Sequence, residues 1–106
     1  MSQPNQPKVV TVTCSGSDCT VSPGALTMSI HQDVTFCNNT SAGIAVMMSD
    51  ERMFSEHQFK VDSGDEVTKR LEDIDDGDYP YAVYCDVIND FAHASSMPKI
   101  IVRRQL

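Results

Sequence analysis

Apolar and polar residues alternate along this chain with a period of two, in short runs broken by turn residues. Val10, Val12 and Cys14 alternate with Thr11 and Thr13, the pattern of a strand with one buried face. Ser15-Gly16-Ser17-Asp18 reads as a four-residue turn, and a second strand follows from Cys19 to Val21. Beyond Ser22-Pro23-Gly24, the run Leu26–Ile30 continues that strand, with Leu26, Met28 and Ile30 on one face. His31-Gln32 turns the chain into Asp33–Asn38, and a further apolar stretch covers Ile44–Met48. Residues 49–58 are polar and hold either one short helix or a long loop. Phe59–Val61, Val67–Leu71, Tyr79–Cys85 and Lys99–Arg103 bring the total to about eight strands. Asp62-Ser63-Gly64-Asp65 and Asp75-Asp76-Gly77-Asp78 are turn sequences.

Strands this short at this spacing predict an all-β fold, a two-sheet sandwich or barrel, with little helix outside residues 49–58. The 106 residues suffice for one domain with its own core. Residues 1–7, rich in Pro, Gln and Asn, read as a flexible tail, and residues 8–106 as the domain. No apolar run approaches the ~20 residues that cross a membrane. The N-terminus also lacks the charged-then-apolar pattern of a signal peptide. The expected location is therefore periplasmic or secreted if a leader has been removed, with the cytoplasm as the alternative.

Charge narrows the partners. The net charge is −7, and ten of the fifteen acidic residues lie between Asp62 and Asp90. Such a surface keeps a protein soluble, and it can also dock a basic partner protein. Nucleic acid and anionic membrane both call for clustered Lys and Arg, and the chain holds nothing larger than a pair such as Arg103-Arg104 at the tail.

Four cysteines in so short a chain indicate an oxidising compartment or a metal site. Cys14-x4-Cys19 with separate Cys37 and Cys85 lacks the paired knuckles of a zinc site. Cys14 and Cys19 flank one turn with equal parity, so they can form a cross-strand disulfide, with Cα atoms expected roughly 4.4–6.8 Å apart. Cys37 has parity opposite to Val34 and Phe36, which predicts a free thiol near the surface. His93 could serve Cys85 as the base of a nucleophilic pair, but no oxyanion-hole or substrate motif accompanies them. No Gly-rich phosphate loop, His-x-x-Glu-His or carboxylate pair with a flanking pocket motif is present either, so the chain does not read as an enzyme.

The order of features resembles a known family. Cys19-Thr-Val-Ser-Pro-Gly-Ala-Leu-Thr-Met28, a turn, and then Asp33-Val-Thr-Phe-Cys-Asn-Asn39 is similar to the opening of small blue-copper proteins, the cupredoxins. Gly77-Asp-Tyr-Pro-Tyr-Ala-Val-Tyr-Cys85, then His93-Ala-Ser-Ser-Met97 and Pro98-Lys-Ile-Ile-Val102, is similar to their close. The resemblance covers nearly the whole chain and implies a Greek-key β-sandwich that binds copper for electron transfer or copper carriage. A blue-copper centre takes one thiolate and two imidazoles in a trigonal set with a weak axial thioether. The resemblance places Cys85 as the thiolate, His93 as an imidazole and Met97 as the axial thioether, and it implies a redox or copper-carrying partner protein. Tyr81 and Val83 share the inward parity of Cys85.

Two departures stand out. Seven residues separate Cys85 from His93, more than in the family's short loops. Where the family carries its first histidine, this chain has Ile44-Ala45-Val46, and isoleucine cannot ligate a metal. His31 falls at the pole opposite Cys85. His57 lies in the polar segment after the fourth strand, from which a long excursion could fold back to supply the missing imidazole. Strand directions bring Cys14, Cys19, Cys37 and Cys85 to one pole with Met47 and Met48 starting from that end, so a sulfur-rich site that prefers Cu(I) is the alternative. Without copper, Met47 and Met48 read as one core and one surface residue. The functional classes left open are a copper protein with an atypical site, a copper-free binding or structural module on the same scaffold, and a thiol redox protein.

Overall fold

The computed structural model describes residues 8–92 and 98–103. Ten strands are formed among them: β1 Lys8–Ser15, β2 Asp18–Ser22, β3 Ala25–Met28, β4 Asp33–Asn39, β5 Ile44–Met48, β6 Gln58–Val61, β7 Glu66–Arg70, β8 Gly77–Cys85, β9 Asp90–Phe91 and β10 Lys99–Val102. They build an all-β Greek-key sandwich. One sheet runs β2-β1-β4-β7, and the other runs β3-β10-β8-β5-β6 with β9 paired to β8. Both sheets are mixed, because β1 lies parallel to β4 and β3 parallel to β10. No helix occurs among the described residues.

The alternation read from sequence decides which side chains meet between the sheets. Val10 and Val12 of β1, Val34 and Phe36 of β4, Val46 of β5, and Ile100 and Val102 of β10 are all completely buried. Phe36 is the hub. Its ring meets Phe59 at 5.2 Å, Tyr81 at 6.0 Å and Phe54 at 6.3 Å between centroids, each edge to face, the arrangement aromatic quadrupoles favour.

Three expectations need correction. Leu26–Met28 does not continue β2: after Ser22-Pro23-Gly24 the chain crosses to the other sheet, and β3 pairs with β10. A proline followed by a glycine interrupts the strand ladder, and the apolar face of β3 is buried as well from the opposite layer. Of the two readings of residues 49–58 the loop holds, since residues 49–57 form turns, but the segment is not wholly polar in its packing. Met53 and Phe54 are buried, and Met53 O accepts a bond from Glu72 N–H at 2.8 Å, which pins this loop across the end of the sandwich. Finally, β9 lies where sequence offered only a loop, because the residues after Cys85 turn back on β8.

A buried asparagine shapes the pole where β8 ends. Asn38, on β4, donates from Nδ2 to Ala42 O and to Val61 O, both at 2.9 Å, while its Oδ1 accepts from the N–H and hydroxyl of Thr40. One side chain therefore satisfies four groups of the β4–β5 connection and of β6. That network delivers Gly43 and Ile44 to the last residue of β8.

Candidate metal centre

Cys85 closes β8 with its side chain in the interior. It shares that orientation with Tyr81 and Val83, as their common parity requires, and Cys85 itself is fully buried. Its thiol is free. Burial pushes the Cys85 thiol up from its ordinary pKa, and the neighbouring carboxylate of Asp86 pushes in the same direction.

Ile44 is the direct cross-strand partner of Cys85 in the antiparallel β5–β8 ladder. The next link, Asp86 N–H to Gly43 O at 3.1 Å, extends that pairing past the end of the strand. Ile44 is thus beside Cys85, as the sequence predicts, and is only 2% exposed. The position facing the thiol on this side is apolar and dry.

On the opposite layer, β1 and β2 form a hairpin around Gly16 and Ser17, and Gly16 takes the left-handed φ of 63° that the two-residue turn demands. Cys14 and Cys19 are paired across it and form a disulfide. Their Cα atoms are 3.9 Å apart, closer than the roughly 4.4–6.8 Å expected from sequence, because the two residues face each other directly one step from the turn. The Sγ atoms of Cys14, Cys19 and Cys85 all lie within 4.8 Å of one another. Cys37 is outside this group. It is half-buried on β4, two residues before Asn39, with Glu66 Oε1 4.0 Å from its sulfur, so it is near the same end of the sandwich without joining the sulfur cluster.

The other candidates fall away from the thiol. His31 stands at the β3–β4 turn, at the end of β4 where Asp33 pairs with Arg70, while the cysteine cluster lies toward the Asn39 end. His57 does not fold back toward Cys85. Its carbonyl accepts from Met48 N–H at 2.8 Å, which ties it to the far end of β5, about 13 Å of strand from Ile44. Met48 pairs with Tyr81 at that same far end, so neither Met47 nor Met48 starts beside Cys85; Met48 is core and Met47 half-buried.

The seven-residue connection after Cys85 opens as a hairpin. Asn89, at φ 55°, closes a turn in which Ile88 N–H and Asn89 N–H reach Cys85 O and Asp86 O, both at 3.3 Å. Phe91 then pairs with Tyr84, and their rings stack edge to face at 5.3 Å. Ala92 N–H donates to Val83 O at 2.8 Å, and Tyr81 N–H donates to Pro98 O at 2.9 Å. The segment carrying His93 and Met97 is therefore anchored at both ends on β8, two residues apart; His93 and Met97 themselves lie outside the described residues.

Two mixed sheets in this strand order, with a buried free cysteine at the end of β8, define the cupredoxin fold. Solved structures similar to the chain agree. A purple cupredoxin from Nitrosopumilus maritimus shares 15% identity at a TM-score of 0.63, covering 91% of this chain and 99% of that one. The reduced Cu(I) form of an amicyanin variant shares 17% at 0.60, covering 92% and 82%. A second Cu(I) amicyanin variant shares 16% at 0.60, with the same coverage. No family model matches the sequence, and no curated protein matches it either.

Proposed function

We propose that this is a small copper-binding protein of the cupredoxin type, an electron or copper carrier rather than an enzyme, with a site that favours Cu(I). The observation that carries it is the free, buried thiol of Cys85 at the end of β8, with Ile44 where an imidazole would complete a Cu(II) set. His93 and Met97 are the proposed imidazole and thioether. The described residues do not fit a trigonal two-imidazole centre, since isoleucine donates nothing. A thiolate, one imidazole and a thioether fit the softer Cu(I) ion. Copper held there supplies one-electron redox chemistry, or is itself the cargo.

The chain's own residues have simpler tasks. The β5–β8 ladder fixes the Cys85 backbone, Ile44 keeps water from one side of the thiol, and Asn38 holds the adjoining loop. The proposed partner is a basic redox or copper-carrying protein, matched to a net charge of −7. The proposed setting is periplasmic or secreted, consistent with a Cys14–Cys19 disulfide.

The test is metal content and the visible spectrum of protein supplied with copper, followed by anaerobic Cu(I) titration. Uptake of Cu(I) with weak or absent blue colour is the expected result. A competing reading, a copper-free module, draws on the close packing of Ile44 against the thiol. It prevails if the protein takes up no Cu(I).

A further inference from the structure

The hairpin disulfide and the Cys85 thiol face each other from opposite sheets, and nothing in the cupredoxin resemblance calls for that meeting. Cys14 continues the buried parity of Val10 and Val12, and Cys19 that of Val21. Both sulfurs therefore point between the layers toward Cys85, with all three Sγ atoms within 4.8 Å. Cys19 and Cys85 are fully buried and Cys14 half-buried, so one side of the cluster opens toward solvent.

We infer that Cys14, Cys19 and Cys85 together form a second, redox-gated metal site: closed when Cys14 and Cys19 are bridged, and a three-sulfur site for one Cu(I) ion when they are reduced. A metal–thiolate bond of about 2.3 Å places three trigonal sulfurs about 4 Å apart, so Cys85 has to shift by less than about 1 Å. The two cleaved sulfurs move apart, which a hairpin end beside a two-residue turn allows. Three soft sulfurs without imidazole or carboxylate select Cu(I) over hard ions. The half-buried Cys14 gives the ion an entry path and leaves part of the thiolate charge in water.

The gating step balances through thiol–disulfide exchange with a dithiol reductant. A reductant thiolate attacks one sulfur of the Cys14–Cys19 bond, and its second thiol resolves the mixed disulfide. The reductant ends as a disulfide, and Cys14 and Cys19 each gain a proton. Cu(I) then displaces protons from the cysteine thiols as it binds. The reverse exchange with a disulfide oxidant removes two of the three ligands and expels the ion.

This inference shares Cys85 with the proposed copper site but predicts different ligands, so the two can fail separately. The experiment titrates the intact protein with Cu(I) held by bicinchoninate, in its disulfide form and after anaerobic phosphine reduction, with X-ray absorption at the copper edge. Expected is one equivalent bound at least about tenfold more tightly after reduction, with three sulfur neighbours and no nitrogen. Cys14→Ser and Cys85→Ser should each abolish that gain, whereas Cys37→Ser and His93→Ala should not. Cys14→Ser changes a half-buried position, so it remains informative if a Cys19 variant does not fold. Equal affinity in the two forms, or loss of binding in His93→Ala, overturns the three-sulfur site and leaves the histidine-containing reading standing. Binding with a three-sulfur signature only after reduction, and none in the disulfide form, supports the inference and removes that reading. No Cu(I) uptake in either form overturns both.

Discussion

Ile44 and Cys85 are direct cross-strand partners at the pole of the sandwich, one with no ligand atom and the other with a free buried thiol. Replacing Ile44 by histidine puts an imidazole at the position opposite the thiolate. Ile44→His should turn Cu(II)-treated protein visibly coloured through a thiolate-to-copper band. The cost to stability should be about 1–3 kcal/mol, from burying a polar ring. Absorption and electron paramagnetic resonance spectra check this, and a variant as colourless as the parent would count against the site.

Removing the thiol tests the same pole from the other side. Cys85→Ser should abolish copper binding, while His31→Ala, at the opposite end, should leave it unchanged. Equilibrium dialysis with Cu(I) measures both.

The Cys14–Cys19 bridge leaves two free thiols, Cys37 and Cys85. A thiol reagent should count two in denatured, unreduced protein and four after reduction. In the native state Cys37 should react first, because it is half-buried and Cys85 is fully enclosed. Four thiols without reductant would remove the disulfide and the gating built on it.

Tyr81 makes the stability pH-dependent at the alkaline end. Its hydroxyl is buried with no hydrogen-bond partner among the described residues, and burial raises its pKa well above the usual tyrosine value. Below pH ~10 the ring is neutral in both folded and unfolded chains, so its contribution to stability is complete there. Above that pH the unfolded tyrosine ionises while the folded one resists, and stability falls as pH rises. Tyr81→Phe should flatten this fall between about pH 10 and 12, and leave neutral-pH stability unchanged or slightly higher, since it deletes an unpaired hydroxyl. Thermal melts across pH provide the measurement.

Asn38 holds the loop that delivers Ile44. Asn38→Ala takes the side-chain partner from Val61 O and the Thr40 N–H, while Ala42 O keeps the Thr40 hydroxyl, and should cost about 1–3 kcal/mol, read by urea denaturation. A loss confined to a few tenths would mean water replaces the amide.

Much of this protein is written locally. Period-two alternation at Val10, Val12 and Cys14, and at Tyr81, Val83 and Cys85, determined the strands and their buried faces, because a pleated strand sends alternate side chains to opposite sides. The turn at Gly16 and Ser17 likewise determined that Cys14 and Cys19 would meet, since a hairpin turn sets its own register. Even the Ile44 beside Cys85 was legible, through the resemblance to the cupredoxins.

Other features had no local signal. That β3 leaves the sheet of β2, that Met53 and Phe54 plug the end of the sandwich, and that His57 belongs to the far end of β5 depend on which surfaces were left to cover. The approach of the hairpin disulfide to Cys85 is of the same kind. Strand direction brings the three cysteines to one pole, but only the packing of one sheet on the other, ≈10 Å apart with interdigitating side chains, decides that their sulfurs come within 4.8 Å.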